Sequence, residues 1–133
     1  METLAQIKKP ATTEALPSLM DFVKEQIGMM QFSDERKADI CLAVEEALKN
    51  ILYYGRCLEN TEIDITFKLD NFGRFLIIIT DSGAPFNMLL SDVLPGEEKT
   101  ADVSTKIIKR VIKDLEYKRF ENKNILTFTI PNL

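Results

Sequence analysis

The sequence predicts an α/β (α+β) two-layer sandwich, a mainly antiparallel sheet covered on one face by three helices. Three observations point there. Apolar residues recur at helical spacing in three stretches. Elsewhere they alternate, or run together, as they do in strands. The strand-like stretches also come in neighbouring pairs joined by short turns, the arrangement of antiparallel hairpins. The order is β-α-α-β-β-α-β-β within 133 residues, a length that suits a single domain over 1–133.

The elements follow in chain order. Leu4 to Lys9 reads as a short edge strand stopping before Pro10, because a residue preceding proline is restricted. Leu16, Leu19, Met20, Val23 and Ile27 mark a helix over about 15–30, with Pro17 in its first turn. Ser33 suits an N-cap, followed by Asp34 and Glu35 where the helix dipole favours carboxylates. The second helix then runs over about 34–54, carried by Ala38, Cys41, Leu42, Val44, Ala47, Leu48, Ile51 and Leu52, and stops at Gly55. Glu62 to Leu69 alternates strictly, Phe75 to Ile79 is continuously apolar, and Asp70-Asn71-Phe72-Gly73 lies between them, so 61–80 reads as a hairpin. Ala84 to Thr100 has no periodicity, and a loop this long is more often functional than filler. Val103, Ile107, Ile108, Val111, Ile112 and Leu115 predict a third helix. A last hairpin joins Leu115–Phe120 to Ile125–Ile130 through a turn near Asn122-Lys123-Asn124.

Composition narrows the function. Apolar residues make up 45% and charged residues 29%, as in a globular protein with a sizeable core. The net charge of −4 argues against a basic nucleic-acid surface. No stretch has the length and apolarity of a membrane span, and Met1 to Lys9 has no apolar signal core. Cys41 and Cys57 have no metal-site spacing, and Cys41 reads as a small buried hydrophobe. Free thiols without an export signal point to the cytoplasm. There is no histidine, so a Ser-His-Asp triad and a His-ligated metal are excluded, and acid–base chemistry falls to carboxylates, lysines or tyrosines.

Two clusters carry candidate chemistry. Glu46 and Asn50, four apart on the second helix, share one face. There a carboxylate can accept a proton from an attacking hydroxyl, and an amide oxygen can hold Mg²⁺ against phosphates. The same pair also reads as a solvated polar face, with Glu45 and Lys49 beside it. Asp81-Ser82-Gly83-Ala84-Pro85-Phe86 follows the apolar strand. Its aspartate can accept from an adenine amino group and Gly83 lets backbone approach a flat base, though the segment also reads as an ordinary turn.

In combination they are more specific. Leu42-Ala43-Val44-Glu45-Glu46-Ala47-Leu48-Lys49-Asn50 resembles the N-box helix, and Ile79-Thr80-Asp81-Ser82-Gly83-Ala84-Pro85-Phe86-Asn87 the D-x-G-x-P-F-D box, of bacterial anti-sigma-factor serine-protein kinases. Leu115-Glu116-Tyr117 through Lys123-Asn124-Ile125-Leu126-Thr127 is similar to their closing hairpin. These kinases belong to the histidine-kinase-like ATPase superfamily. The resemblance implies that fold, with ATP and Mg²⁺ as cofactors. It implies Glu46 as general base, Asn50 as Mg²⁺ ligand, and Asp81, Gly83 and Thr127 on the adenine side, with Glu46, Asn50 and Asp81 lining one cavity. It further implies a sigma factor and its anti-sigma antagonist as partners, phosphorylation of a serine on the antagonist, and a homodimer, with no direct nucleic-acid or membrane contact.

One box departs from the pattern. Where the family has a glycine-rich phosphate lid opening the third helix, this chain has Ala101-Asp102-Val103-Ser104-Thr105. The glycines that let backbone N–H groups cradle phosphates are gone. Asp102 would compete for those N–H groups and repel a triphosphate, with Lys99 as the nearest compensating cation. A family histidine four residues after the N-box asparagine is Tyr54 here. Three readings stay open: a contact-based regulator with a degenerate lid, an active ATP-dependent serine kinase, and a nucleotide-free binding module.

Overall fold

Strand β1 (Glu2–Pro10) opens the chain, two residues earlier than its apolar pattern suggests and through the proline itself. Pro10 can end a strand at a sheet edge because its missing N–H is not needed there. The computed structural model describes residues 1–55, 57–90 and 104–131. A 3₁₀ turn (Thr13–Ala15) leads into helix α1 (Leu16–Gly28), which has a proline in its first turn and buries Leu19, Met20, Val23 and Ile27. Helix α2 (Asp34–Tyr54) starts where the capping residue predicts: the Ser33 hydroxyl accepts the Arg36 N–H at 3.1 Å. At its end a Cβ on Gly55 would lie 2.5 Å from the Ile51 carbonyl oxygen, so the stop requires glycine.

Strands β2 (Glu62–Leu69) and β3 (Phe75–Asp81) form the expected hairpin. Its turn is organised by one side chain. Asp70 Oδ1 accepts the N–H groups of Phe72 and Arg74, each at 2.9 Å, and Oδ2 pairs with Arg74 Nε at 2.7 Å. Gly73 takes φ +79°, where a side chain would be strained. Burial pushes the Asp70 carboxyl up, but hydrogen bonds from the Arg74 backbone and side chain and the Phe72 backbone, with the Arg74 charge, outweigh it and leave it below the usual range. A lowered carboxyl stabilises the fold above its unfolded-state pKa, and that contribution disappears as pH falls through the folded value. Urea midpoints of wild type and Asp70→Asn should therefore differ most near neutrality and converge in acid. A difference that grows on acidification would contradict this account of the turn.

The third helix is shorter than its apolar stripe implies. Helix α3 is only Lys106–Val111; Ile112 is already extended, and Leu115 belongs to strand β4 (Asp114–Phe120). Ile112 and Leu115 fit a helical spacing, yet Leu115 is claimed by pairing with Phe128. The last turn is also displaced from its expected place. Glu121 (φ 50°) and Asn122 (φ 64°) form the two-residue turn, and β5 (Lys123–Ile130) begins at once, so Asn124 is a strand residue. Two consecutive positive φ values mark the primed turn whose twist matches a hairpin.

All strand pairs are antiparallel, in the order β1-β2-β3-β5-β4. One face of the sheet packs on the helices. Ile63, Ile65, Phe67, Ile77, Ile79, Leu126, Phe128 and Ile130 meet Leu19, Val23, Ile27, Ile40, Val44, Ala47 and Leu48 there, all nearly or fully buried. The alternate residues, such as Thr66, Ile78 and Thr127, form the other, partly exposed face. Cys41 is half-buried against the core, and both cysteines are free. Among the described residues, no helix is long and apolar enough to cross a membrane.

Candidate functional site

Period-two alternation decides which side chains reach the helix-covered side of the sheet. On β3 the buried residues are Ile77, Ile79 and Asp81, so Asp81 ends the strand on that side at 5% exposure. Opposite it on β5 stands Asn124, also buried. Asn124 uses its whole amide. Nδ2 donates to Asp81 Oδ1 and to the Ala84 carbonyl, both at 2.9 Å. Oδ1 accepts the Phe86 N–H at 3.1 Å and the Tyr117 hydroxyl. Asp81 Oδ1 also accepts the Gly83 N–H at 2.9 Å, and the Gly83 carbonyl accepts from Arg119 at 2.7 Å. The D-S-G-A-P loop is thus held by Asp81 and Asn124 together. Burial raises the Asp81 carboxyl above its ordinary range, opposed by Asn124, Gly83 and the Arg119 charge. Asp81 Oδ2 accepts no hydrogen bond from the described residues, so one carboxylate oxygen keeps its acceptor capacity.

On α2, Asn50 is 3% exposed and Glu46 is half-buried one turn earlier. Both are engaged by the start of α3. Glu46 Oε1 accepts the Ile108 N–H at 3.0 Å, in the first turn of α3. It supplies the cap that Thr105, at the N-cap position, does not. Asn50 Nδ2 donates to the Ser104 carbonyl at 2.8 Å and to Met88 Sδ at 3.6 Å. The two side chains share a cavity of about 590 Å³ with Tyr53, Tyr54 and Ile107.

Asp81 does not line that cavity. A separate hollow of about 300 Å³ lies on the sheet face away from the helices, lined by Gln6, Asp64, Thr66, Ile78 and Thr80, and Asp81 and Ser82 border it at one end. The Asp81 side chain nonetheless ends β3 on the helix-covered side of the sheet, the side on which α2 carries Asn50. The reading of Thr127 is corrected. It pairs with Ile78 and points to the sheet face away from the helices, opposite in parity to Asp81. Asn124 holds the place beside Asp81 expected for Thr127. Its sequence context hides this role, because Asn122-Lys123-Asn124 has the composition of a turn. Lys99 and Asp102 lie outside the described residues.

Does this arrangement fit a nucleotide with Mg²⁺? Among the described residues no three carboxylates or thiols gather to hold a metal alone, so a cation would rely on phosphate oxygens as well. The Asn50 amide oxygen accepts no hydrogen bond from the described residues and fits such a role, and Asp81 Oδ2 fits an adenine amino group. When bound, Mg²⁺ would neutralise phosphate charge. Among the described residues, Asn50 would offer an amide oxygen, Asp81 a carboxylate oxygen, and Glu46 a carboxylate held by a helix.

A family model described as "Histidine kinase-like ATPase domain" matches residues 9–130, nearly the whole chain. The chain belongs to that family. No curated protein matches the sequence significantly. Among solved structures, this ATPase domain is similar to the RsbU and RsbW domains of Rv1364c from Mycobacterium tuberculosis. The identity there is 13% and the TM-score 0.64, over 96% of this chain and 32% of that one. It is similar to the catalytic domain of histidine kinase ThkA, with 17% identity and a TM-score of 0.59 over 97% of both chains. It is similar as well to the histidine kinase domain of the blue-light-activated histidine kinase of Erythrobacter litoralis EL346, with 14% identity and a TM-score of 0.59, over 90% of this chain and 60% of that one. This chain thus spans about a third of the Mycobacterium structure. At such identities the likeness is one of fold.

Proposed function

We propose that this histidine kinase-like ATPase domain is an anti-sigma-factor-type regulator, a relative of serine-protein kinases that acts by contact with a sigma factor, its antagonist, or both. In this reading adenine-nucleotide binding is retained and the phosphate end is weakened. The observation that carries it is the double engagement of Glu46 and Asn50 by the backbone of residues 104–108. A carboxylate that caps a helix is less available as a general base, because taking up a proton would sacrifice that cap. The loss of every glycine from the expected lid, with Asp102 in its place, argues the same way from sequence. The likeness to an RsbW domain and the N-box motif support the anti-sigma branch.

The Asn50 amide oxygen, left without a donor among the described residues, and the intact Asp81 loop favour a second reading, an active ATP-dependent serine kinase. Calorimetry with Mg-ATP, ADP and adenosine separates the two. The regulator reading expects ATP to gain little over adenosine. It expects Asp102→Gly to tighten ATP about ten- to a hundredfold, the worth of a restored charge-assisted contact. Tight wild-type Mg-ATP binding, unimproved by Asp102→Gly, with phosphate transfer to an antagonist domain, would make the kinase reading correct. Docking to a sigma factor or antagonist is expected to survive Glu46→Gln, since contact needs no general base. Loss of all docking in a folded Glu46→Gln protein would sink the contact mechanism.

A further inference from the structure

At the other end of α2, 14 residues or about 21 Å along the helix from Asn50, lies a third cavity, of about 600 Å³. Its floor is apolar, made by Val111, Ile112, Ile130 and Pro131. Its polar walls carry three cations, Arg36 from the first turns of α2, Arg110 near the end of α3, and Lys113 just beyond it. Among the described residues none of the three has an ion pair or a side-chain hydrogen bond. Arg36 is held over the Phe32 ring, 5.2 Å from its centroid, and its Nε is buried without a hydrogen-bond partner. A buried guanidinium N–H left unpaired is costly, and a fixed fork of donors matches a carboxylate or a phosphate. Glu35 and Asp39 also line the cavity and oppose an anion there. The cations outnumber them by one, and the start of the 21-residue α2 adds a partial positive charge.

We propose that this cavity is a binding site for a small organic anion, an apolar group carrying one phosphate or carboxylate head. The head meets Arg36 and Arg110, and the apolar body covers Ile112, Ile130 and Pro131. A volume of this size suits such a ligand. A bare inorganic anion would leave the apolar floor uncovered, and a neutral aromatic would leave the cations unpaired. The site stands apart from the Asp81 and Asn50 regions and does not depend on the reading of either.

The test is amide-resolved NMR titration of the whole chain with phenyl phosphate, phenylacetate, inorganic phosphate and benzyl alcohol. At least one aromatic anion is expected to shift the amides of Ser33–Asp39, Arg110–Lys113 and Ile130 saturably. It should bind about tenfold more tightly than benzyl alcohol or inorganic phosphate, while the Asp81 loop stays unmoved. Which of the two heads binds better identifies the anion. Arg110→Gln is expected to weaken binding about tenfold and Asp39→Asn to tighten it severalfold. Arg110 is exposed, so its variant should fold even if Arg36→Gln, which also loses the Phe32 contact, does not. No saturable shift up to about 10 mM, equal binding of benzyl alcohol, or affinity untouched by Arg110→Gln would overturn the proposal.

Discussion

Phe67→Ala is expected to lower the unfolding free energy by about 3–5 kcal/mol, a large share of the roughly 5–15 kcal/mol that holds a domain of this size together. Phe67 is 1% exposed at the centre of β2, paired with Ile77. Its ring meets Phe22 of α1 edge-on, with centroids 5.8 Å apart and planes at 67°. Truncation removes a large apolar surface and leaves a cavity between two layers that cannot easily close. The sheet is fixed by ladders on both sides of β2 and the helix by its own hydrogen bonds. The aromatic pair itself adds about 0.5–1.5 kcal/mol, which a double-mutant cycle with Phe22→Leu would isolate. Phe67→Leu keeps most of the volume and should cost clearly less than alanine. Urea unfolding followed by two probes measures all three variants. A loss below about 1 kcal/mol for Phe67→Ala would mean that the helix layer does not pack on β2 in this way.

Asn124→Ala should act on stability and on ligand binding together. The substitution strips Asp81 of one donor and leaves the Ala84 carbonyl, the Phe86 N–H and the Tyr117 hydroxyl without their partner. Buried groups deprived of partners cost about 1–3 kcal/mol each, and water entering the space recovers part of this, so a net loss of about 2–4 kcal/mol is expected. The Asp81 carboxyl, already raised by burial, should rise further without the Asn124 donor. The raised acid works against stability as pH climbs through its range, the reverse of Asp70. Adenosine affinity should fall about tenfold, because the loop presenting Asp81 and Gly83 is no longer tied to β5. Asn124→Thr, which keeps one hydroxyl donor, should retain part of both properties. Unchanged stability and unchanged adenosine binding in Asn124→Ala would show that Asn124 does not position the loop.

Local chemistry makes much of this protein legible in its sequence. The Ser33 cap, the alternation over Glu62–Leu69 and the Asp70–Gly73 turn involve neighbours in sequence, and each element lies close to where those signals put it. The i,i+4 spacing alone puts Glu46 and Asn50 on one face of α2. What local chemistry does not reach is parity and pairing. β5 lies between β3 and β4, so the partner of Asp81 is 43 residues away in sequence, and which residue that is depends on where the last turn begins. The positive φ of Glu121 and Asn122 set that start, making Asn124 a strand residue on the helix-covered face and leaving Thr127 on the other, since an odd offset along a strand reverses the face. The end of α3 is decided in the same way, by the pairing of Leu115 with Phe128 rather than by the apolar stripe that precedes it. The hold of α3 on Glu46 joins residues 62 positions apart, a contact that exists only once the second and third helices pack side by side.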